Sequence, residues 1–127
     1  MKTMTDNKHS FAGGRNIALK LPPHEFDDAV HFYREVLGLT QTKNYLPSIV
    51  FEYGASLLWL DRVETITQAA LWLELRTPDT AAAAKHLDRH GVTRCDAVET
   101  LPDGFDGYWI SGPGNIIHLV HGKKEDV

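Results

Sequence analysis

Alternation of apolar and polar residues predicts two half-buried β-strands, one early in the chain and one near its middle. They are the segments 16–21 and 71–76, in which every second residue is Ile or Leu. Successive side chains of a strand point to opposite faces of the sheet. Trp72 and Glu74 should therefore share the face that the leucines of the second segment leave free.

Each of these strands is followed by a segment of helical periodicity and then by shorter apolar segments. The first helix is expected to begin near Phe26 or Asp27 and to end at Gly38. The second is expected over 81–90, with Asp79 or Thr80 as its cap and Gly91 as its stop. The remaining strands are expected at 48–53, 56–61, 93–100, 107–111 and 115–121.

The order of strand, helix and three strands thus occurs twice and predicts an α+β fold made of two βαβββ modules. Residues 1–14 are polar and are expected to form a flexible leader. The domain is expected over 15–127, with module one at about 15–66 and module two at about 67–122.

Composition is that of an ordinary soluble globular protein. The chain has 127 residues, of which 43% are apolar and 24% charged, and no apolar run approaches the ~20 residues of a membrane helix. Its single cysteine, Cys95, excludes an internal disulfide and fits a reducing cytoplasm. The leader lacks the apolar core of an export signal, and the net charge of −4 gives no reason to expect nucleic-acid binding. We therefore expect a cytoplasmic protein without nucleic-acid or membrane partners.

Two segments of the sequence resemble motifs of the vicinal oxygen chelate superfamily, which contains glyoxalase I, extradiol dioxygenases, fosfomycin-resistance enzymes and bleomycin-resistance proteins. They are Phe32–Leu39, at the end of the first helix, and Gly112–Leu119, at the terminal turn and last strand. The resemblance covers about 16–122. It implies a curved, cup-shaped mixed β-sheet with helices on its outer face, and a homodimer as a frequent assembly.

The resemblance also implies four inward positions that usually carry His, Glu, His and Glu as metal ligands. In this chain they are Asn16, Trp59, Trp72 and His118. An indole nitrogen only donates hydrogen bonds, and a catalytic zinc needs about three protein ligands. We therefore expect no metal cofactor. A divalent ion, if bound, would use the displaced set His118, Glu74 and Asp61.

Alternation gives the same assignment without the family. Leu58 and Leu60 should face the helices and leave Trp59 inward. In the last strand, Ile117 and Leu119 should face the helices and leave His118 and Val120 inward. The charged inward residues are expected to form cross-strand ion pairs or a wet rim. They are Lys20, Asp61, Glu74 and Arg76.

Two indoles in a cup predict the binding of a planar compound, because tryptophan offers a large flat face that also attracts cations. The first hypothesis is a metal-free protein resembling bleomycin-resistance proteins, which sequester drugs and give antibiotic resistance. Its small-molecule ligand would be hydrophobic or aromatic, with a cation as one option. The expected binding residues are Asn16, Trp59, Trp72, Glu74, Trp109 and His118.

Two other interpretations stay open. The chain is a lyase, isomerase or dioxygenase, with the displaced metal or with His118 as a general base beside Glu74. Alternatively, the two indoles simply fill the cup and no ligand exists. The other histidines, among them His9, His86 and His90, are interpreted as solvated surface residues without a spaced ligand pair. Cys95 is interpreted as a packing residue.

Overall fold

The computed structural model describes residues 10–122, in which nine β-strands and two α-helices are formed. The strands are β1 (Ala12–Gly13), β2 (Asn16–Leu21), β3 (Gln41–Thr42), β4 (Ile49–Tyr53), β5 (Ser56–Arg62), β6 (Ala70–Arg76), β7 (Thr93–Arg94), β8 (Gly107–Gly112) and β9 (Ile116–His121). The helices are α1 (Pro23–His31) and α2 (Thr80–Arg89). The chain divides into two compact units, which we call the first unit (Arg15–Trp72) and the second unit (10–14 with 73–122).

The first unit is a mixed sheet covered by α1. Strand β2 pairs in parallel with β5, while β4 pairs antiparallel with β5 and with β3. The start of β6 pairs antiparallel with the other edge of β2. The buried core of one face consists of Leu21, Phe51, Leu58 and Leu60, against which α1 packs Phe26, Ala29, Val30 and Tyr33.

Helix α1 begins three residues earlier than Phe26, the expected start. Its first residue is Pro23, which has no N–H to leave unsatisfied and whose ring fixes φ near the helical value. After His31 the helix widens into a π turn over Phe32–Val36, and Gly38, at φ +68°, ends it as expected. Pro22, the N-cap, and Pro23 therefore follow the end of β2 directly and begin the helix.

The second unit repeats the same pairing scheme. Strand β6 pairs in parallel with β9, and β8 pairs antiparallel with β9 and with β7. The core contains Tyr108, Ile110 and Val120, packed against Leu75, Ala84, Leu87, Val92 and Phe11. Asp79 caps α2 by accepting a 3.0 Å hydrogen bond from Ala82 N–H. The expected α+β class and the twofold βαβββ order are confirmed.

The compact units and the two modules divide the chain at different places. The units are divided between Trp72 and Leu73, inside β6, whereas β6, the first strand of the second module, begins at Ala70, after the expected border at 66–67. Strand β1, which lies in the expected leader, pairs antiparallel with Leu75 and Arg76, and Phe11 packs into the core of the second unit. Residues 10–14 are thus part of a folded unit, and the rest of the expected leader lies outside the described residues. The long strand expected at 93–100 is only Thr93–Arg94, followed by a 3₁₀ turn.

The predicted facing of the last strand is wrong. His118 is the cross-strand partner of Leu73 and Ile110, and Val120 that of Leu75 and Tyr108. Directly paired residues share a face, and Val120 is completely buried against the side chains of α2. His118 therefore lies on the helix side of the sheet, while Leu119 and His121 lie on the other side.

Candidate functional site

The face of the first unit opposite α1 carries two indoles that flank one small residue. Ala18 on β2 is the cross-strand partner of Trp59 on β5 and of Trp72 on β6. Both indoles are half-buried. Their Cα atoms are two strand spacings apart, about 9.6 Å. The side chain of Ala18, which lies between them on β2, is a single methyl group. The structure thus places both expected tryptophans side by side on one face.

Trp59 is held in place from two directions. Its indole Nε1 donates a 2.7 Å hydrogen bond to Oδ1 of Asn16, one of the other expected site residues. The ring of Tyr45 lies 4.9 Å from the Trp59 ring, centre to centre, at an interplanar angle of 48°. Tyr45 was not expected at the site, because it lies outside the alternating strands on which the sequence prediction depended.

Trp72 is held by a buried lysine. Nζ of Lys20 lies 4.3 Å from the centre of the Trp72 ring, within cation–π range, and 2.9 Å from Oδ2 of Asp61. The Lys20 side chain is 6% exposed, and the Asp61 carboxylate compensates its buried charge. The expected cross-strand ion pair is therefore confirmed for Lys20 and Asp61.

A polar cleft of about 230 Å³ adjoins the Trp59 side of this face. It is lined by Arg15, Thr42, Asn44, Tyr45 and Glu52, together with the hairpin residues 54–57. Tyr45 belongs to the wall of the cleft and also contacts Trp59. The first unit therefore offers an aromatic surface and, next to it, a polar recess that contains both charge signs.

In the second unit, Glu74 has a different imidazole partner from the expected one. Oε2 of Glu74 lies 3.2 Å from Nε2 of His121, and the two side chains are 10% and 5% exposed. The ring of Phe105 lies 5.9 Å from that of His121. Gly14 packs so closely that a Cβ on it would collide with the Glu74 carboxylate. The pair is enclosed rather than open to a ligand.

Trp109 shares the face of Glu74, since Leu119 is the cross-strand partner of both. It is 5% exposed, and its Nε1 donates a 3.0 Å hydrogen bond to the carbonyl oxygen of Glu99. Its backbone N–H donates to Oδ1 of Asp96 at 3.0 Å. Trp109 is thus a buried anchor for the segment that follows β7.

Near Trp109, the side chains of Asp96 and Cys95 have shifted pKa values. Burial acts to raise the pKa of Asp96, but hydrogen bonds from Trp109 N–H and Arg94 outweigh it and hold that pKa below its usual value. Burial, reinforced by Asp96, raises the pKa of the Cys95 thiol. A raised pKa disfavours the reactive thiolate, which agrees with the packing role expected for Cys95.

The alternative metal set is not brought together. Glu74 and His118 lie on opposite faces of the second unit's sheet, because they pair with Leu119 and Leu73 respectively. His118 Nδ1 instead lies 2.9 Å from its neighbour, the carbonyl oxygen of Ile116. Within residues 10–122, no three His, Cys, Asp or Glu side chains are grouped as metal ligands. The same geometry removes the proposed general base His118 from the side of Glu74.

Comparison with known proteins gives a structural likeness only. No protein-family model matches the chain, and no curated protein sequence matches it. A hypothetical protein from Bacillus halodurans C-125 superposes with a TM-score of 0.62 at 14% identity, covering 93% of this chain and 98% of the other. Methylmalonyl-CoA epimerase from Mycobacterium tuberculosis gives 0.57 at 14%, covering 89% of each chain.

The Mn(II)-bound glyoxalase from Novosphingobium aromaticivorans gives a TM-score of 0.56 at 19% identity and covers 89% of this chain. This chain spans only 41% of that protein. Across the part that the structure describes, no helix is long and apolar enough to cross a membrane. The glyoxalase and the epimerase are vicinal oxygen chelate proteins, and this chain has the fold of that superfamily.

Proposed function

We propose that the protein binds a planar, largely apolar small molecule on the face that carries Trp59 and Trp72. The observation that carries the proposal is their shared cross-strand partner, Ala18. Two aromatic rings on one face suit a flat ligand, which would stack on Trp59 or on the side of the Trp72 ring that Lys20 does not cover. Both tryptophans are only half-buried, and a ligand stacked on them would bury apolar area.

The fixed positions of the two rings support this proposal. Asn16 and Tyr45 restrain Trp59, and Lys20 restrains Trp72. A side chain that is already ordered loses little conformational entropy when a ligand arrives, whereas a free one costs about 0.5–1.5 kcal/mol to order. The two rings are therefore already ordered before a rigid ligand binds.

The charge distribution favours a neutral ring over the cationic one that the sequence allowed. The ammonium group of Lys20 already occupies the cation–π position on Trp72. A cationic ring stacked beside it would be repelled by this charge, whereas a neutral ring would not. We therefore propose a neutral aromatic surface for the stacked part of the ligand.

The cleft beside Tyr45 suits a polar group at one end of that ligand. Its volume of about 230 Å³ is below the ~300–1,000 Å³ of pockets that hold whole drug-sized molecules. Arg15 and Glu52 lie in its wall and provide a donor and an acceptor of hydrogen bonds. The proposed ligand is therefore a ring system with a short polar substituent.

We propose that binding needs no metal. Of the oxygen ligands at this face, the amide oxygen of Asn16 accepts a hydrogen bond from Trp59, and the carboxylate of Asp61 is paired with Lys20. The resemblance to bleomycin-resistance proteins adds a proposed role in sequestering a compound, in a cytoplasmic homodimer. Sedimentation of the purified protein tests the dimer, and a sole monomeric species at all concentrations would contradict it.

The enzymatic alternative is weaker because His118, the expected general base, lies on the helix side of the sheet, away from Glu74. A metal-free isomerase would have to use His121, whose Nε2 lies 3.2 Å from the Glu74 carboxylate. His121 is only 4% exposed, so a substrate has no access to it in this conformation. A ligand-binding role fits the accessible residues better.

Calorimetric titration with flavone, a neutral planar probe, and with acridine orange, a cationic one, tests the proposal. We expect Trp59→Leu and Trp72→Leu each to weaken flavone binding about tenfold, which equals about 1.4 kcal/mol. Leu71→Ala is the control, because Leu71 precedes Trp72 in β6 but pairs with Leu19 and is 46% exposed. Unchanged flavone affinity in both tryptophan variants, or an equal loss in the control, would refute the proposal.

A further inference from the structure

Two histidines lie one helical turn apart at the carboxyl end of α2. The ring centres of His86 and His90 are 4.6 Å apart, with an interplanar angle of 54°. Although α2 ends at Arg89, the backbone N–H of His90 still donates to the carbonyl oxygens of His86 and Leu87, at 3.3 and 3.1 Å. The helical hydrogen bonding therefore extends to the N–H of His90, the C-cap, and the two rings lie on one side of the helix.

We propose that His86 and His90 form a surface site for Cu²⁺, Ni²⁺ or Zn²⁺. Residues four apart on a helix are neighbours on the same face, and two histidines at this spacing bind zinc in metalloprotease helices. Imidazole is a good ligand for all three ions. The inference does not depend on the proposed ligand-binding function, since both residues belong to the second unit.

The separation of the rings fits a shared ion. Two imidazole nitrogens that each lie about 2.0–2.1 Å from a tetrahedral metal are about 3.3 Å apart. The ring centres are 4.6 Å apart, and we expect rotation about the side-chain bonds to bring one nitrogen of each ring to that separation. The site has two protein ligands, and water completes the coordination, because His90 is exposed.

The surroundings are mixed in charge. The carboxyl end of a helix carries a partial negative charge that favours a cation. Lys85 and Arg89 are cationic neighbours on the same helix, and Asp88 is an anionic one. The ring of Phe11 lies 6.3 Å from that of His86 and restricts its movement. Binding should therefore depend on the two nitrogens and follow the order Cu²⁺, Ni²⁺, Zn²⁺.

The sequence contained the signal, since His86 and His90 are four residues apart in a predicted helix. The interpretation of His90 as a solvated surface residue agrees with its exposure. The four-residue spacing was not considered there as a ligand pair, and the structure places the two ring centres 4.6 Å apart.

Titration of the untagged full chain with the chlorides of the three metals tests the site. By calorimetry we expect His90→Ala and His86→Gln each to weaken Cu²⁺ and Ni²⁺ binding at least about tenfold. Alanine suits a helix end, and glutamine keeps the volume beside Phe11, so both variants should fold. His31→Ala, which removes an exposed histidine of α1, is the control and should bind as the unmodified chain does.

Imidazole NMR signals identify the ligands directly. With Zn²⁺, the signals of His86 and His90 should shift together along one saturation curve. Unperturbed signals of both residues at millimolar Zn²⁺, or Cu²⁺ affinity unchanged in His90→Ala and His86→Gln, would overturn the proposal.

Discussion

Lys20 holds its ammonium group 4.3 Å above the ring of Trp72, although alternation along β2 places it simply on the open face of the sheet. The same group makes an ion pair with Asp61 on the neighbouring strand. One buried cation thus connects three adjacent strands, β5, β2 and β6, through two different interactions.

This arrangement predicts a measurable coupling between Lys20 and Asp61. In a double-mutant cycle with Lys20→Met and Asp61→Asn, urea unfolding should give an interaction energy of about 1 kcal/mol, because the lysine is buried. The exposed pair Arg62 and Glu64, at 2.7 Å, is the control and should give no more than about 0.5 kcal/mol. Equal coupling in the two pairs would contradict the role assigned to burial.

The Asn16 amide is predicted to act as an acceptor for Trp59. Asn16→Leu should lower the free energy of unfolding by about 1 kcal/mol, because the half-buried indole N–H loses its 2.7 Å partner. Asn16→Asp keeps an acceptor oxygen in the same place and should lose clearly less. Urea unfolding followed by tryptophan fluorescence measures both, and an equal loss in the two variants would contradict the hydrogen bond.

Gly14 is predicted to be required for the enclosure of Glu74. A methyl group on Gly14 collides with the Glu74 carboxylate, so Gly14→Ala should cost about 1–3 kcal/mol of unfolding free energy. Gly13→Ala is a matched control one residue away, where an added Cβ meets nothing within 4 Å. Thermal unfolding compares the two, and the interpretation fails if they lose the same amount.

The lowered pKa of Asp96 predicts an acid-sensitive contribution to stability. A carboxyl group whose pKa is lower in the folded protein stabilises it above the unfolded value, about 3.9, and this contribution is lost as the pH falls through the folded value. Between about pH 6 and about pH 3, Asp96→Asn should therefore lose less stability than the unmodified chain. Urea unfolding at both values checks this.

The control for Asp96→Asn is Asp103→Asn, in an exposed loop. An acid sensitivity that is unchanged by Asp96→Asn would remove the contribution assigned to the bonds from Trp109 and Arg94.

Local sequence chemistry predicted most of the fold. The alternation of 16–21 and 71–76 identified β2 and β6, and Asp79 and Gly91 identified the ends of α2. The errors occurred where one residue had two possible roles. Pro23 lies directly after a strand and also begins a helix, whereas the helix was expected to begin only at Phe26 or Asp27.

The candidate site was partly predictable. Alternation places Trp59 and Trp72 on the face opposite the helix, which the pairing of both with Ala18 bears out. Tyr45 was missed because it reaches Trp59 from the connection between β3 and β4, where no periodicity marks the direction of a side chain.

The sequence by itself determined the strand and helix order, the repeated module and the faces of β2, β5 and β6, because leucine or isoleucine marks one side of each strand. It did not determine the facing of β9. In 116–121, each set of alternate residues contains two aliphatic side chains and one histidine, so hydrophobicity favours neither face. Only pairing with β6 and β8 decided it, by burying Val120 under α2 and giving Glu74 the partner His121 instead of His118.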